Sequence, residues 1–307
     1  MIKKIQLLVI FTVILITFEF IKIIREGEII QKTLSIGLSD NPVSCNVQSS
    51  CNFAFSSKAS ASLLEISKNK IMKNEKITGA TSVKNDFCLK VPVLTYHRIQ
   101  PWTMAIEKGQ TVGTVDDKIF DQQMSYLAAN GYNTIFAEDL VDALKSHAEL
   151  SPKSVLVTLD DGYENAYTYA FPIAQKYQIK LNLMIPTGLV GNQDFLSWDQ
   201  IKEMKDSGLV YFTAHTWSHS ALGLSFVEKI QYEVKTSKSQ LEQYTGQSVN
   251  IFTYPYGSFN DTVINILKEN GFTAGFSTIF GNLQCESYIM TLHRTGIGNS
   301  PLSSYGL

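Results

Sequence analysis

From residue 91 to residue 277, short apolar or β-branched runs alternate with longer segments whose apolar residues recur at helical spacing. Few folds accept such a pattern. The runs 91–96, 134–136, 154–159, 180–185, 210–213, 251–254 and 273–277 are predicted strands: they are too short for helices, and apolar enough to be buried on both faces. The segments 118–130, 138–145, 164–177, 198–206, 226–244 and 261–270 are predicted helices, three of them closed by Gly131, Gly208 and Gly271. Strands without an in-out alternation, each followed by an amphipathic helix, make parallel β/α units. The expected fold is α/β: a distorted or incomplete (β/α) barrel of about seven units. Few residues follow Arg294, so a last closing helix is expected to be short or absent.

The N-terminus belongs to a different kind of segment. Lys3 and Lys4 precede a charge-free run over residues 5–18, and the 20 residues from Ile5 to Ile24 suffice for about 30 Å of bilayer if Glu19 and Lys22 lie near its outer edge. Residues 1–25 are read as a signal-anchor or signal peptide, with the basic end cytoplasmic; an uncleaved anchor is favoured because no small-x-small site closely follows the apolar run. Residues 26–88, rich in Ser, Asn and Lys, are read as a largely irregular spacer with a candidate helix over 62–72, and residues 89–307 as the α/β domain. This places the domain outside the cytoplasm, membrane-anchored, or secreted if the segment is cleaved. Four cysteines are too few for a disulfide scaffold, but export would permit Cys45–Cys51 and Cys88–Cys285 pairs; free buried thiols are the alternative. With 26 basic and 28 acidic residues the chain has no broad positive field, which argues against nucleic acid as a partner.

In barrels of this kind the reacting groups gather at the C-terminal ends of the strands. His97 ends the first run, Asp160 and Asp161 follow the third, His215 and His219 follow the fifth, Tyr254 and Tyr256 end the sixth, and His293 with Arg294 comes after the last. Four of the five histidines therefore fall in candidate site loops. Two histidines four apart suit joint coordination of a divalent ion, although H-x-x-x-H alone is a weak signal, and D-D-G alone is a common turn.

Taken together these residues resemble the polysaccharide deacetylases with a NodB homology domain, also called carbohydrate esterase family 4. Thr158 to Gly162 is similar to the family's T-F-D-D-G motif, His215 to His219 to its H-[ST]-x-x-H motif, and Phe252 to Gly257 to its third motif. Tyr96-His97, Leu196 to Asp199 and Leu292 to Arg294 resemble the branch acting on poly-β-1,6-N-acetylglucosamine. The resemblance implies a metal-dependent N-deacetylase acting on an N-acetylglucosamine-containing polysaccharide. Asp161, His215 and His219 would hold a divalent ion, most readily Zn²⁺, and Asp160 would be the general base. His97 or His293 would be the acid, with Tyr256 supplying an oxyanion-hole N–H and Tyr254 and Trp217 contacting substrate. Trp102, Tyr163, Phe195 and Trp198 are further candidates for stacking on sugar rings, of which one or two are expected to do so. The wider family often has Arg where Thr253 stands, so the group that tunes the base is missing from its usual place. Arg294 and His293 can also be read as a structural ion pair to a core carboxylate.

Two other classes compete: a non-catalytic carbohydrate-binding protein on a degenerate deacetylase fold, and a glycoside hydrolase. The second leaves the two histidines unexplained. A serine hydrolase is disfavoured because the chain has no G-x-S-x-G elbow.

Overall fold

The computed structural model describes residues 86–307. The N-terminal segment, the spacer helix over 62–72 and the Cys45–Cys51 pairing lie outside the described residues, and among those described no helix is long and apolar enough to cross a membrane.

Among the described residues there are twelve strands: β1 (Cys88–Lys90), β2 (Val93–Tyr96), β3 (Arg98–Ile99), β4 (Thr114–Val115), β5 (Asn133–Thr134), β6 (Ser154–Leu159), β7 (Leu181–Ile185), β8 (Val210–Ala214), β9 (Ile251–Thr253), β10 (Ala274–Phe280), β11 (Leu283–Cys285) and β12 (Leu292–Gly296). Between them run the helices α1 (Trp102–Glu107), α2 (Asp117–Ala129), α3 (Ala137–Ser146), α4 (Phe171–Tyr177), α5 (Trp198–Asp206), α6 (Val227–Thr245) and α7 (Asp261–Glu269). Strands β2, β12, β10, β9, β8, β7 and β6 are hydrogen-bonded in that order, and β6 returns to β2, which closes a ring of seven parallel strands. The ring is thin where β8 meets β9, through Ala214 and Phe252, and slips in register between β10 and β12. Short β5 lies beside the N-terminal end of β6.

Because successive side chains alternate across a strand, the barrel wall separates two cores. Val155, Val157, Leu159, Leu181, Leu183, Phe212 and Phe252 pack outward with the helices. Val93, Leu156, Met184, Tyr211, Ile251, Phe276 and Leu292 form the second, inner cluster. One step further along the same inward rows, the side chains become polar: Thr95, Thr158, Thr213 and Thr253 are all buried. The inside of the barrel is thus greasy at one end and hydrogen-bonding at the other, and the polar end is the one from which the loops emerge.

The helices begin and end where the sequence chemistry directs. Asp116 and Ser197 cap α2 and α5 through their side chains, Asn260 caps α7, and α6 ends on Gly246 at φ 65°. The predicted helix over 164–177 is split: a π-helical turn, Ala166–Ala170, precedes α4, where Pro172 lacks the N–H that a regular α-helix would use.

Cys88 and Cys285 are joined in a disulfide across 197 residues, alongside the antiparallel β1–β11 pair. Closing so long a loop stabilises the fold chiefly by restricting the unfolded chain, by about 5 kcal/mol in the chain-entropy picture. One expectation is corrected here: His293 and Arg294 do not follow the last strand but sit within β12, which closes the ring. The chain beyond it forms only a 3₁₀ turn, Leu302–Tyr305.

Candidate active site

The polar end of the barrel opens into a cavity of about 480 Å³ whose walls include His97, Asp160, Asp161, His215, His219 and Tyr256. Six of the nine residues to which the resemblance gave a catalytic, ligand or substrate role therefore meet in one place. Three of them, Asp161, His219 and Tyr256, sit in backbone turns that a regular strand could not make. Leu159 faces outward, so Asp160 points in; Asp161 then takes φ 72° and Gly162 φ 66°, reversing the chain at once. A non-glycine residue in the left-handed region is uncommon, yet Asp161, Thr216, His219 and Tyr256 all adopt it around this cavity. Gly257 follows Tyr256 at φ 64°, and a Cβ there would lie 2.0 Å from Thr278 Oγ1, so only glycine fits the turn.

Asp161 Oδ1 lies 3.4 Å from His215 Nε2 and 3.0 Å from His219 Nε2. The ligating atoms of the three residues lie within 4.8 Å of one another. The outer nitrogens are engaged: His215 Nδ1 is 2.8 Å from the Thr253 carbonyl and His219 Nδ1 is 3.0 Å from the Tyr256 hydroxyl. A carbonyl can only accept, so it selects the His215 tautomer with the proton on Nδ1 and leaves the Nε2 lone pair facing Asp161. One carboxylate oxygen and two imidazole nitrogens facing a common point, with the cavity open beside them, fit a divalent ion held by three protein ligands with room for a fourth. Burial pushes the Asp161 carboxyl up, but wherever His215 and His219 carry a proton on Nε2 their hydrogen bonds and charge outweigh it and hold the group well below the usual carboxylate range.

Asp160 is held differently. Its Oδ1 accepts from Arg294 Nη1 at 2.8 Å, and Arg294 Nε donates to the Ser277 carbonyl at 2.8 Å. Both side chains are buried. Burial raises the Asp160 carboxyl, yet the Arg294 charge, with His215 and His97 nearby, brings it below its ordinary value. The arginine missing at Thr253 is thus supplied from another strand: Leu292 belongs to the inner core, so Arg294, two residues on, points inward too. The reading of Arg294 as an ion pair to a carboxylate holds, and the carboxylate belongs to the site.

The same alternation removes His293 from the site. Its ring stacks on Tyr288 at 4.5 Å between centroids, and it is not part of the cavity wall. Tyr254 is corrected as well: it is fully buried and donates to the Met290 carbonyl at 2.8 Å. Trp217 packs where a Cβ on Gly188 would come within 2.6 Å of its ring, edge-on to Tyr232, and does not line the cavity. Of the expected stacking aromatics only Tyr163 does, with the Arg98 guanidinium 3.3 Å above its ring. Trp198 stacks on Tyr244 instead, and Phe195 packs against Tyr163. Arg98 carries no motif signal beyond following His97.

Residues 147–275 match the family model described as polysaccharide deacetylase. The fold is similar to that of the Streptococcus pyogenes deacetylase PplD, solved in complex with acetate: 30% identity, TM-score 0.65, covering 69% of this chain and 94% of that one. The chain belongs to the polysaccharide deacetylase family. It is therefore a hydrolytic N-deacetylase, and deacetylases of this family depend on a metal, which the Asp161, His215 and His219 donor set suits. IcaB from Ammonifex degensii is similar at 27% identity and TM-score 0.61, over 68% of this chain and 91% of that one. The poly-β-1,6-N-acetyl-D-glucosamine N-deacetylase of Staphylococcus epidermidis is 28% identical over 177 residues, which are 53% of this chain and 61% of that enzyme.

The Asp160–Arg294 pair gives this deacetylase a pH signature. In Arg294→Met, burial of Asp160 is opposed only by the charge of His215 and His97, so its carboxyl should rise and the acidic limb of the rate profile should move to higher pH. Removing one partner of a buried pair should also cost about 3–5 kcal/mol of stability. A pH-rate profile and a thermal melt check both; an unmoved acidic limb would show that Arg294 does not tune Asp160.

Proposed function

We propose that the chain removes N-acetyl groups from an extracytoplasmic N-acetylglucosamine polysaccharide, poly-β-1,6-N-acetylglucosamine first among them, with Zn²⁺ in the Asp161, His215 and His219 site. The observation that carries the proposal is the convergence of these three ligands beside a second, separately held carboxylate, Asp160, in one cavity. The choice of substrate rests on relatives: the Staphylococcus epidermidis enzyme and an Escherichia coli enzyme, 26% identical, of whose length the chain spans 33%, are both poly-β-1,6-N-acetyl-D-glucosamine N-deacetylases. The basic-then-apolar N-terminus and the Cys88–Cys285 disulfide support a place outside the cytoplasm.

Asp161, His215 and His219 would hold a divalent ion, which when bound would polarise the acetyl carbonyl and make water acidic enough to attack near neutral pH. The chain does the rest. Asp160, charged and fixed by Arg294, takes a proton from the attacking water. The Tyr256 N–H, presented by the turn at φ 58°, donates to the oxyanion that forms on the acetyl oxygen. His97, in the cavity wall across from the ligands' loop, protonates the departing amine, which leaves poorly otherwise.

Acetate release by the full chain from β-1,6-linked N-acetylglucosamine oligomers, β-1,4-linked oligomers and peptidoglycan tests the substrate; release from peptidoglycan alone would refute the choice made here. Protease added to intact cells should degrade the domain, and protection would place it in the cytoplasm. His97→Ala should lower amide hydrolysis by on the order of 10² to 10⁴ while largely sparing an activated acetyl ester, because a good leaving group needs no proton. Equal losses on both substrates would remove His97 from the role of acid.

A further inference from the structure

The loop between the two histidine ligands is held from opposite sides. Toward the strand, His215 N–H donates to the Ile185 carbonyl at 3.1 Å, and the Thr216 and Trp217 carbonyls accept from Thr187 and Gly188 at 3.3 and 2.7 Å. From Trp217 onward the partner changes. Glu233 of α6, 2% exposed, accepts from the N–H groups of Trp217 and Ser218 through Oε2 at 2.8 and 2.7 Å. Its Oε1 lies 2.5 Å from Ser218 Oγ and 3.2 Å from Ser220 Oγ. A mid-helix glutamate is almost never buried to this degree unless its charge is used. Here all four donors come from the five-residue span between and just past the ligands, and none from the helix's own surroundings.

The loop needs such a clamp. Thr216 and His219 both sit at positive φ, a conformation that non-glycine residues leave when released. His215 is fixed by the strand and by the Thr253 carbonyl, so it would stay. His219 lies in the part of the loop that Glu233 grips, flanked by Ser218 and Ser220.

We infer that Glu233 is a positioning residue for the metal site, a buried anion that sets the ligand geometry of His219 from the outer helix layer. The inference rests on the metal-site reading above. Glu233 touches neither ion nor substrate; it acts by fixing where the His219 imidazole points.

The test titrates Co²⁺ into the metal-stripped full chain and follows the visible absorption band, which reports coordination geometry independently of turnover. Glu233→Met fills the space and favours helix but accepts nothing; it should weaken Co²⁺ binding about 10–100-fold, the usual effect of losing an outer partner of a ligand, and alter the band. Glu233→Gln should stay close to wild type, because its amide oxygen can still accept both N–H groups while the serine hydroxyls turn to accept from its NH₂. A folded Glu233→Met that binds Co²⁺ with unchanged affinity and spectrum overturns the inference. Should Glu233→Met fail to fold, the Ser218→Ala/Ser220→Ala double variant removes half the clamp and should weaken binding severalfold; unchanged binding there overturns it equally. Failure of the wild-type chain to bind Co²⁺ would instead defeat the metal site itself, so the two failures are distinct.

Discussion

Asp160→Asn is expected to keep its metal and lower kcat for acetate release by on the order of 10² to 10⁴, the usual contribution of a general base. The amide is the same shape as the carboxylate, and its oxygen can still accept from Arg294 Nη1, so the geometry that places it survives. What is lost is the ability to take a proton from water. Stability should fall as well, because Arg294 keeps its charge in a site where both partners are buried. The neighbouring substitution, Asp161→Asn, should behave differently: it weakens one of three ligands, so metal content drops along with activity. General damage to the loop would make the two variants alike. Metal content, kcat and a melting curve on both separate the cases, and a metal-free Asp160→Asn would exchange the roles assigned to the two aspartates.

His215→Ala and His219→Ala are each expected to abolish deacetylation and most metal binding, since a three-ligand site reduced to two loses the greater part of its affinity. The backgrounds of the two losses differ. His215 is almost fully buried and bonded to Thr253, so its removal also leaves a cavity in the barrel's polar layer and should depress the melting temperature more. His219 is partly exposed beside Tyr256, and its removal should leave the fold nearly as stable as before. Stoichiometric metal retained by the double variant would show that the ion sits elsewhere.

Most of the barrel was legible in the chain because its strands are apolar runs and its helices are amphipathic, and those periods survive whatever the tertiary context. β12 was not legible. Its sequence, Leu292 to Gly296, has no apolar run, since Arg294 replaces a core side chain and is neutralised by Asp160, 134 positions away. Periodicity cannot register a partner that distant. The same blindness explains His293, which shares a motif-like neighbourhood with Arg294 but faces the other side of the strand. Tyr254 and Tyr256 share the outward row of Phe252, and alternation alone would place both outside the barrel; Tyr254 stays in that core, while the left-handed turn at Tyr256 sends it, 70% exposed, to the cavity rim. Glu233 reads in sequence as one more polar residue on a long helix, and only the packing of α6 against the ligand loop reveals its four donors.

The central claim is that Asp161, His215 and His219 hold a divalent ion on which deacetylation depends. Acetate release from β-1,6-linked N-acetylglucosamine oligomers by the full chain, measured before chelation, after removal of chelator and ion together, and after adding back one equivalent of Zn²⁺, tests it most directly. Activity should vanish with the ion and return with Zn²⁺ in the wild type, and should not return in His219→Ala; undiminished acetate release from the metal-free wild-type chain would contradict it.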